Sequence, residues 1–141
     1  MSAVVGDIAT LCAAGGLANK SLNGNIDGRV KVSFDTYTCA SLAQGSTIKM
    51  CQVLPTGAKI VNIKVQNAAL GGSVTFSVGD SNTAARYISA ADGNSAAAWK
   101  EATAGMGYVI GTASGDNQIL ITTAGATATG LITIEVTYTM D

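Results

Sequence analysis

Residues 131–139 run Leu-Ile-Thr-Ile-Glu-Val-Thr-Tyr-Thr. In an extended chain successive side chains point to opposite faces, so Ile132, Ile134, Val136 and Tyr138 share one face while Thr133, Glu135, Thr137 and Thr139 share the other. Wound as a helix, the same residues would scatter their apolar groups around the axis, so the period of two predicts a half-buried strand. The period recurs along the chain. Val30, Val32 and Phe34 alternate with Lys31, Ser33 and Asp35; Val61, Ile63 and Val65 with Asn62, Lys64 and Gln66; Val74, Phe76 and Val78 with Thr75 and Ser77. Ser46 to Val53, Arg86 to Ser89, Tyr108 to Ile110 and Gln118 to Thr122 are further strand candidates. Between them lie turn formers: Pro55-Thr56-Gly57, Gly71-Gly72, Gly79-Asp80-Ser81-Asn82 and Gly115-Asp116-Asn117.

About eight short strands, each with one polar face and with turn signals roughly every 8 to 12 residues, predict an all-β, antiparallel sandwich or barrel. Stacking two sheets face to face is the natural way to bury the apolar faces. Two stretches depart from the pattern. Ala90 to Gly105 loses alternation; Asp92-Gly93-Asn94 reads as a turn, and Ala96 to Ala104 as a helical turn or an irregular crossing loop around Trp99. At the start, Val4, Ile8, Leu11 and Cys12 fall at helical spacing before Gly15-Gly16, and Asn23-Gly24-Asn25 and Asp27-Gly28 are turn formers. Residues 1–28 are therefore expected to form an N-terminal arm, packed across the domain or onto a neighbour, and residues 29–141 the β-sandwich domain.

The chain of 141 residues is 48% hydrophobic but only 12% charged, about half the usual charged share. Its surface must be largely Ser, Thr, Asn, Ala and Gly, which costs little desolvation when covered by other protein. The eight Lys and Arg are scattered and the net charge is −1. Nucleic-acid binding draws on a basic stripe that this chain lacks, so no nucleic-acid partner is expected. No run approaches the roughly 20 apolar residues of a membrane span, and the first residues lack the basic start of a secretory signal, so no membrane partner is expected and synthesis in the cytoplasm is.

The chain contains no histidine. That removes the commonest general base and the usual partner of a nucleophilic Ser or Cys, so no catalytic residue is assigned and no enzyme is expected. Cys12, Cys39 and Cys51 have no metal-ligand spacing; they read as small buried hydrophobes, with a Cys39–Cys51 bridge across paired strands as the alternative. Asp80, Asp92 and Asp116 sit in Gly-rich turns, where a short carboxylate bonds its own backbone; neither a calcium loop nor a pair of opposed catalytic carboxylates is complete around them. Arg86 is placed to pair with the Asp80 turn. Gly71-Gly72 and Gly105-x-Gly107 precede no helix with the Lys or Ser/Thr of a phosphate loop and read as turns and bulges. No cofactor, metal or small-molecule substrate is expected. Interfaces enrich Trp and Tyr, so Trp99, in the irregular stretch, is the aromatic singled out for partner contact, together with Val4, Val5, Ile8 and Leu11 of the arm.

Three segments carry a resemblance: Leu54-Pro55-Thr56-Gly57-Ala58-Lys59-Ile60-Val61, then Gly71 to Ser81 with Ala85-Arg86-Tyr87-Ile88, and the closing Ala126 to Tyr138. Over residues 54–139 the chain resembles small virion proteins of tailed phages, in size and layout the capsid cement (decoration) proteins of short-tailed phages such as those of Bordetella. The resemblance implies a jelly-roll-like sandwich on the outer surface of an icosahedral head. It implies a homodimer that clamps neighbouring major capsid protein subunits and stabilises the shell against DNA pressure. The alternative is a head- or tail-fibre module that binds a host surface glycan.

Overall fold

The computed structural model describes residues 29–51 and 53–140. The expected arm, with Val4, Val5, Ile8 and Leu11, lies outside the described residues. The rest is all-β, with eight strands: β1 (Arg29–Leu42), β2 (Thr47–Met50), β3 (Lys59–Asn67), β4 (Thr75–Gly79), β5 (Ile88–Asp92), β6 (Ala97–Glu101), β7 (Ile119–Ala124) and β8 (Ala128–Met140). They form two antiparallel sheets of four, ordered β1-β8-β3-β6 and β2-β7-β4-β5. Only β4 and β5 are sequential neighbours within a sheet; every other connection passes from one sheet to the other. This strand order is that of the jelly roll, two Greek keys wrapped into a sandwich, the fold that the resemblance implied.

The inward residues are mostly those the period of two selects; in β3 a register shift between Ile60 and Asn62 turns Val61 outward, 44% exposed, and buries Ile60 in its place. Ile60, Ile63 and Val65 of β3, Phe76 and Val78 of β4, Ile119 and Ile121 of β7, and Ile132, Ile134 and Val136 of β8 are all fully buried. Each such aliphatic side chain contributes about 1.5–3 kcal/mol through water exclusion. Leu54, Leu70, Tyr87 and Ile110, from the connections, close the ends of this core. Where β7 turns into β8, Gly125 has φ +84°, and a Cβ there would overlap the carbonyl oxygen of Ser73, so only glycine fits.

Several sequence expectations are corrected. Ala96 to Ala104 is neither helical turn nor irregular loop: Ala97–Glu101 is β6, which pairs with β3 at Lys64–Glu101 and Val65–Lys100. Its pattern escaped notice because an outermost strand with mostly exposed residues needs no apolar face. Tyr108 to Ile110 joins neither sheet; it makes one bridge, Val109 to Lys59, and backbone bonds to Ala58 and Ile60. The candidate at Arg86 to Ser89 begins instead at Ile88, with Tyr87 buried just ahead of it. Cys39 and Cys51 are free thiols, not a bridge. Cys39 is buried as a small apolar residue, and burial raises the pKa of both.

The largest correction concerns β1. It runs on to Leu42, well beyond the alternation read at Val30 to Phe34. Its register on β8 is unbroken from Arg29 to Cys39, so odd- and even-numbered residues keep opposite faces throughout. Cys39 points inward and is 1% exposed; Val32 and Phe34, on the other face, are 59% and 61% exposed. The apolar half of the β1 pattern thus faces away from the core it was expected to join.

Candidate interaction surface

The outward face of the β1-β8-β3-β6 sheet carries most of the exposed large apolar side chains: Val30, Val32 and Phe34 from β1, Val61 from β3, Trp99 from β6 and Leu131 from β8. The register explains the grouping. Val32 lies opposite Thr137, and Phe34 opposite Glu135, which in turn lies opposite Lys64. All of these belong to the face that β8 fills with Thr and Glu. Phe34 and Trp99 reach toward each other from the two outermost strands and meet edge to face, ring centroids 6.5 Å apart at 65°. That geometry suits the quadrupoles of the two rings and holds both in place. Beneath them Lys64 and Glu101 approach to 3.7 Å with both side chains exposed, a contact of little energetic weight. Beside Trp99 an open groove of about 550 Å³ runs between Gln66, Ala97, Ala98, Leu131 and Thr133. Exposed aromatic rings beside a shallow groove suit contact with another protein. Trp99 was singled out from the sequence; its partner Phe34 was not, because its alternation placed it in the core.

The opposite chemistry gathers at one end of the sandwich. Asp80, 1% exposed, accepts backbone N–H groups from Asn82 and Thr83 through Oδ1, both at 2.9 Å, and pairs through Oδ2 with Arg86 Nε at 2.5 Å. The Arg86 guanidinium lies 4.0 Å above the Tyr108 ring. Tyr108 donates its hydroxyl hydrogen to Asp116 Oδ2 at 2.8 Å, and Gly111 and Ala113 donate backbone N–H groups to the same carboxylate at 3.0 Å. Burial raises the Asp116 pKa, but these hydrogen bonds and one from Thr112 outweigh it, so the carboxyl ionises below its ordinary value. Asp92 accepts the Asn94 N–H at 2.9 Å. All three turn aspartates therefore spend their charge on backbone donors. Among the described residues no group of three His, Cys, Asp or Glu side chains could hold a metal ion.

A buried carboxylate saturated by fixed donors anchors loops and is poorly placed to take a proton from a substrate. The thiols, with pKa values raised by burial, are weak nucleophiles at neutral pH. The polar end is a set of loop anchors, and the outward sheet face is the region equipped for recognition.

No family model and no curated protein matches the chain. Solved structures do. The fold is similar to a chain of the cyanophage Pam1 capsid asymmetric unit, with TM-score 0.69 and 26% identity over 81% of this chain and 86% of that one. It is similar to a chain in the capsid of Ralstonia phage GP4, with TM-score 0.61 and 22% identity over 80% and 85%. A chain of the acidic stable capsid of Helicobacter pylori bacteriophage KHP30 gives TM-score 0.52 and 12% identity over 79% and 87%. The structural neighbours of this jelly roll are components of phage capsids.

Proposed function

We propose that the chain is a structural virion protein: a cement protein that binds the outside of a phage icosahedral head and clamps neighbouring major capsid subunits. The observation that carries this reading is the likeness to the Pam1 capsid chain, which spans most of both molecules at 26% identity. The outward face with Phe34 and Trp99 supplies the contact surface, and a chain only 12% charged loses little hydration when covered. A clamp needs no reacting group. Many modest contacts around a closed shell act together, so each copy is held far more firmly than by one contact alone. Residues 1–28, with Val4, Val5, Ile8 and Leu11, extend the contact onto a neighbouring subunit.

Shells that lack this protein provide the test. The full chain should bind them saturably, at fixed stoichiometry, and raise the temperature at which they rupture. The chain without residues 1–28 should remain folded and bind at reduced occupancy. Glycan binding without any shell binding would overturn the proposal in favour of a fibre module.

A further inference from the structure

Among the described residues β1 is hydrogen-bonded on one side only, to β8. An outermost strand leaves a row of unpaired N–H and C=O groups, and soluble proteins usually keep such strands short, bulged or interrupted by proline. The three other outermost strands follow that rule: β2 has 4 residues, and β5 and β6 have 5 each. β1 has 14 residues, no proline and no bulge between Arg29 and Cys39.

We infer that the free edge of β1 is an interface with a second copy of this chain, the two strands pairing antiparallel about Ser33 to join two four-stranded sheets into one of eight. The side chains select both the partner and the register. When a strand pairs antiparallel with itself, residues of like parity face each other, because only those present their backbone groups to the same side. Centring on Ser33 sets Lys31 against the second copy's Asp35, and Val32 against its Phe34, each twice by symmetry. Val30 then faces Thr36, and the paired segment runs from Arg29 to Tyr37. Centring on Phe34 instead would oppose Lys31 to Tyr37 and Ser33 to Asp35, leaving no charge pair. Centring on Val32 would set Arg29, in place of Lys31, against Asp35 and leave Lys31 facing Ser33 and Val32 facing itself, so the apolar pairing of Val32 with Phe34 would be lost. Asp35 is already held at the edge: its two oxygens accept the N–H groups of Cys51 and Thr36, each at 2.8 Å. The exposed Val32 and Phe34 of both copies would lie side by side as one apolar strip, ended on each side by Trp99.

This deepens the cement reading by naming where two copies meet, but its test reads association alone. The full-length chain should sediment as a dimer at about 100 μM. Val32→Cys and Phe34→Cys change exposed positions, and opposed residues lie about 4.5–5.5 Å apart, within reach of a disulfide. Mixed, concentrated together and mildly oxidised, the two variants should give at least about tenfold more cross-linked dimer than either alone, with the 32–34 linkage found by peptide mass analysis. A monomer at that concentration overturns the inference, as does a dimer whose mixture cross-links no better than the separate variants. Shell binding by a monomeric chain would leave the cement reading standing without this one; a cross-linked dimer that ignores shells would do the reverse.

Discussion

β1 and β8 are the two longest strands, lie side by side and read alike, yet they treat their apolar residues in opposite ways. In β8, Ile132, Ile134 and Val136 are fully buried; in β1, Val32 and Phe34 are more than half exposed. β8 sits between β1 and β3, and its apolar face closes over the opposite sheet. β1 is outermost, and its inward face offers Ser33, Asp35, Tyr37 and Cys39. An alternating sequence therefore specifies that a strand has an apolar face. It leaves open whether that face meets the chain's own core or something beyond it.

Substitutions separate the two strands. Ile134→Ala removes buried methyl groups from the centre of the core and should cost about 2–5 kcal/mol in a denaturant titration. A loss under about 1 kcal/mol would mean that β8 is not the core strand described.

Asp116→Asn should cost about 1–3 kcal/mol, because it removes the buried charge that four donors surround. Asp116 ionises more readily folded than unfolded, so its contribution is complete above its ordinary pKa of 3.8 and is lost as pH falls through the lower, folded value. The gap in stability between the native chain and Asp116→Asn should thus be constant near neutrality and close in acid below pH 3.8. A gap that widens on acidification would contradict the hydrogen-bond arrangement.

Phe34→Ser should have the smallest effect on stability. It gives up the edge contact with Trp99 and little buried area, a loss below about 1 kcal/mol. Its effect should fall on association, read as a lower fraction of dimer and weaker shell occupancy than the native chain. A destabilisation comparable to that of Ile134→Ala would show that Phe34 belongs to a core after all.

The phase of β1 held a clue that the short window of the alternation hid. Apolar residues occupy even positions at Val30, Val32 and Phe34, then odd positions at Tyr37 and Cys39. In a strand without a bulge the two sets must face opposite ways, so one of them had to point outward. Trp99 was singled out from the sequence by its place in a stretch without pattern. That it meets Phe34 was not, because β1 and β6 lie at opposite ends of a four-stranded sheet and their contact depends on strand order. The Asp80–Arg86 pair was legible because it closes within one turn. The link from Arg86 through Tyr108 to Asp116 was not, because it joins separate connections that only the sandwich brings together.

Local chemistry decided what could be decided locally. The period of two, the glycine and aspartate turns and the absence of histidine were enough to specify an all-β sandwich or barrel without a general base of the usual kind. Strand order, the direction in which β1 presents its apolar side and the pairing of Phe34 with Trp99 came only from the tertiary structure. A strand's pattern is satisfied equally well by a core on either side, and the packing of all the other strands chooses between them.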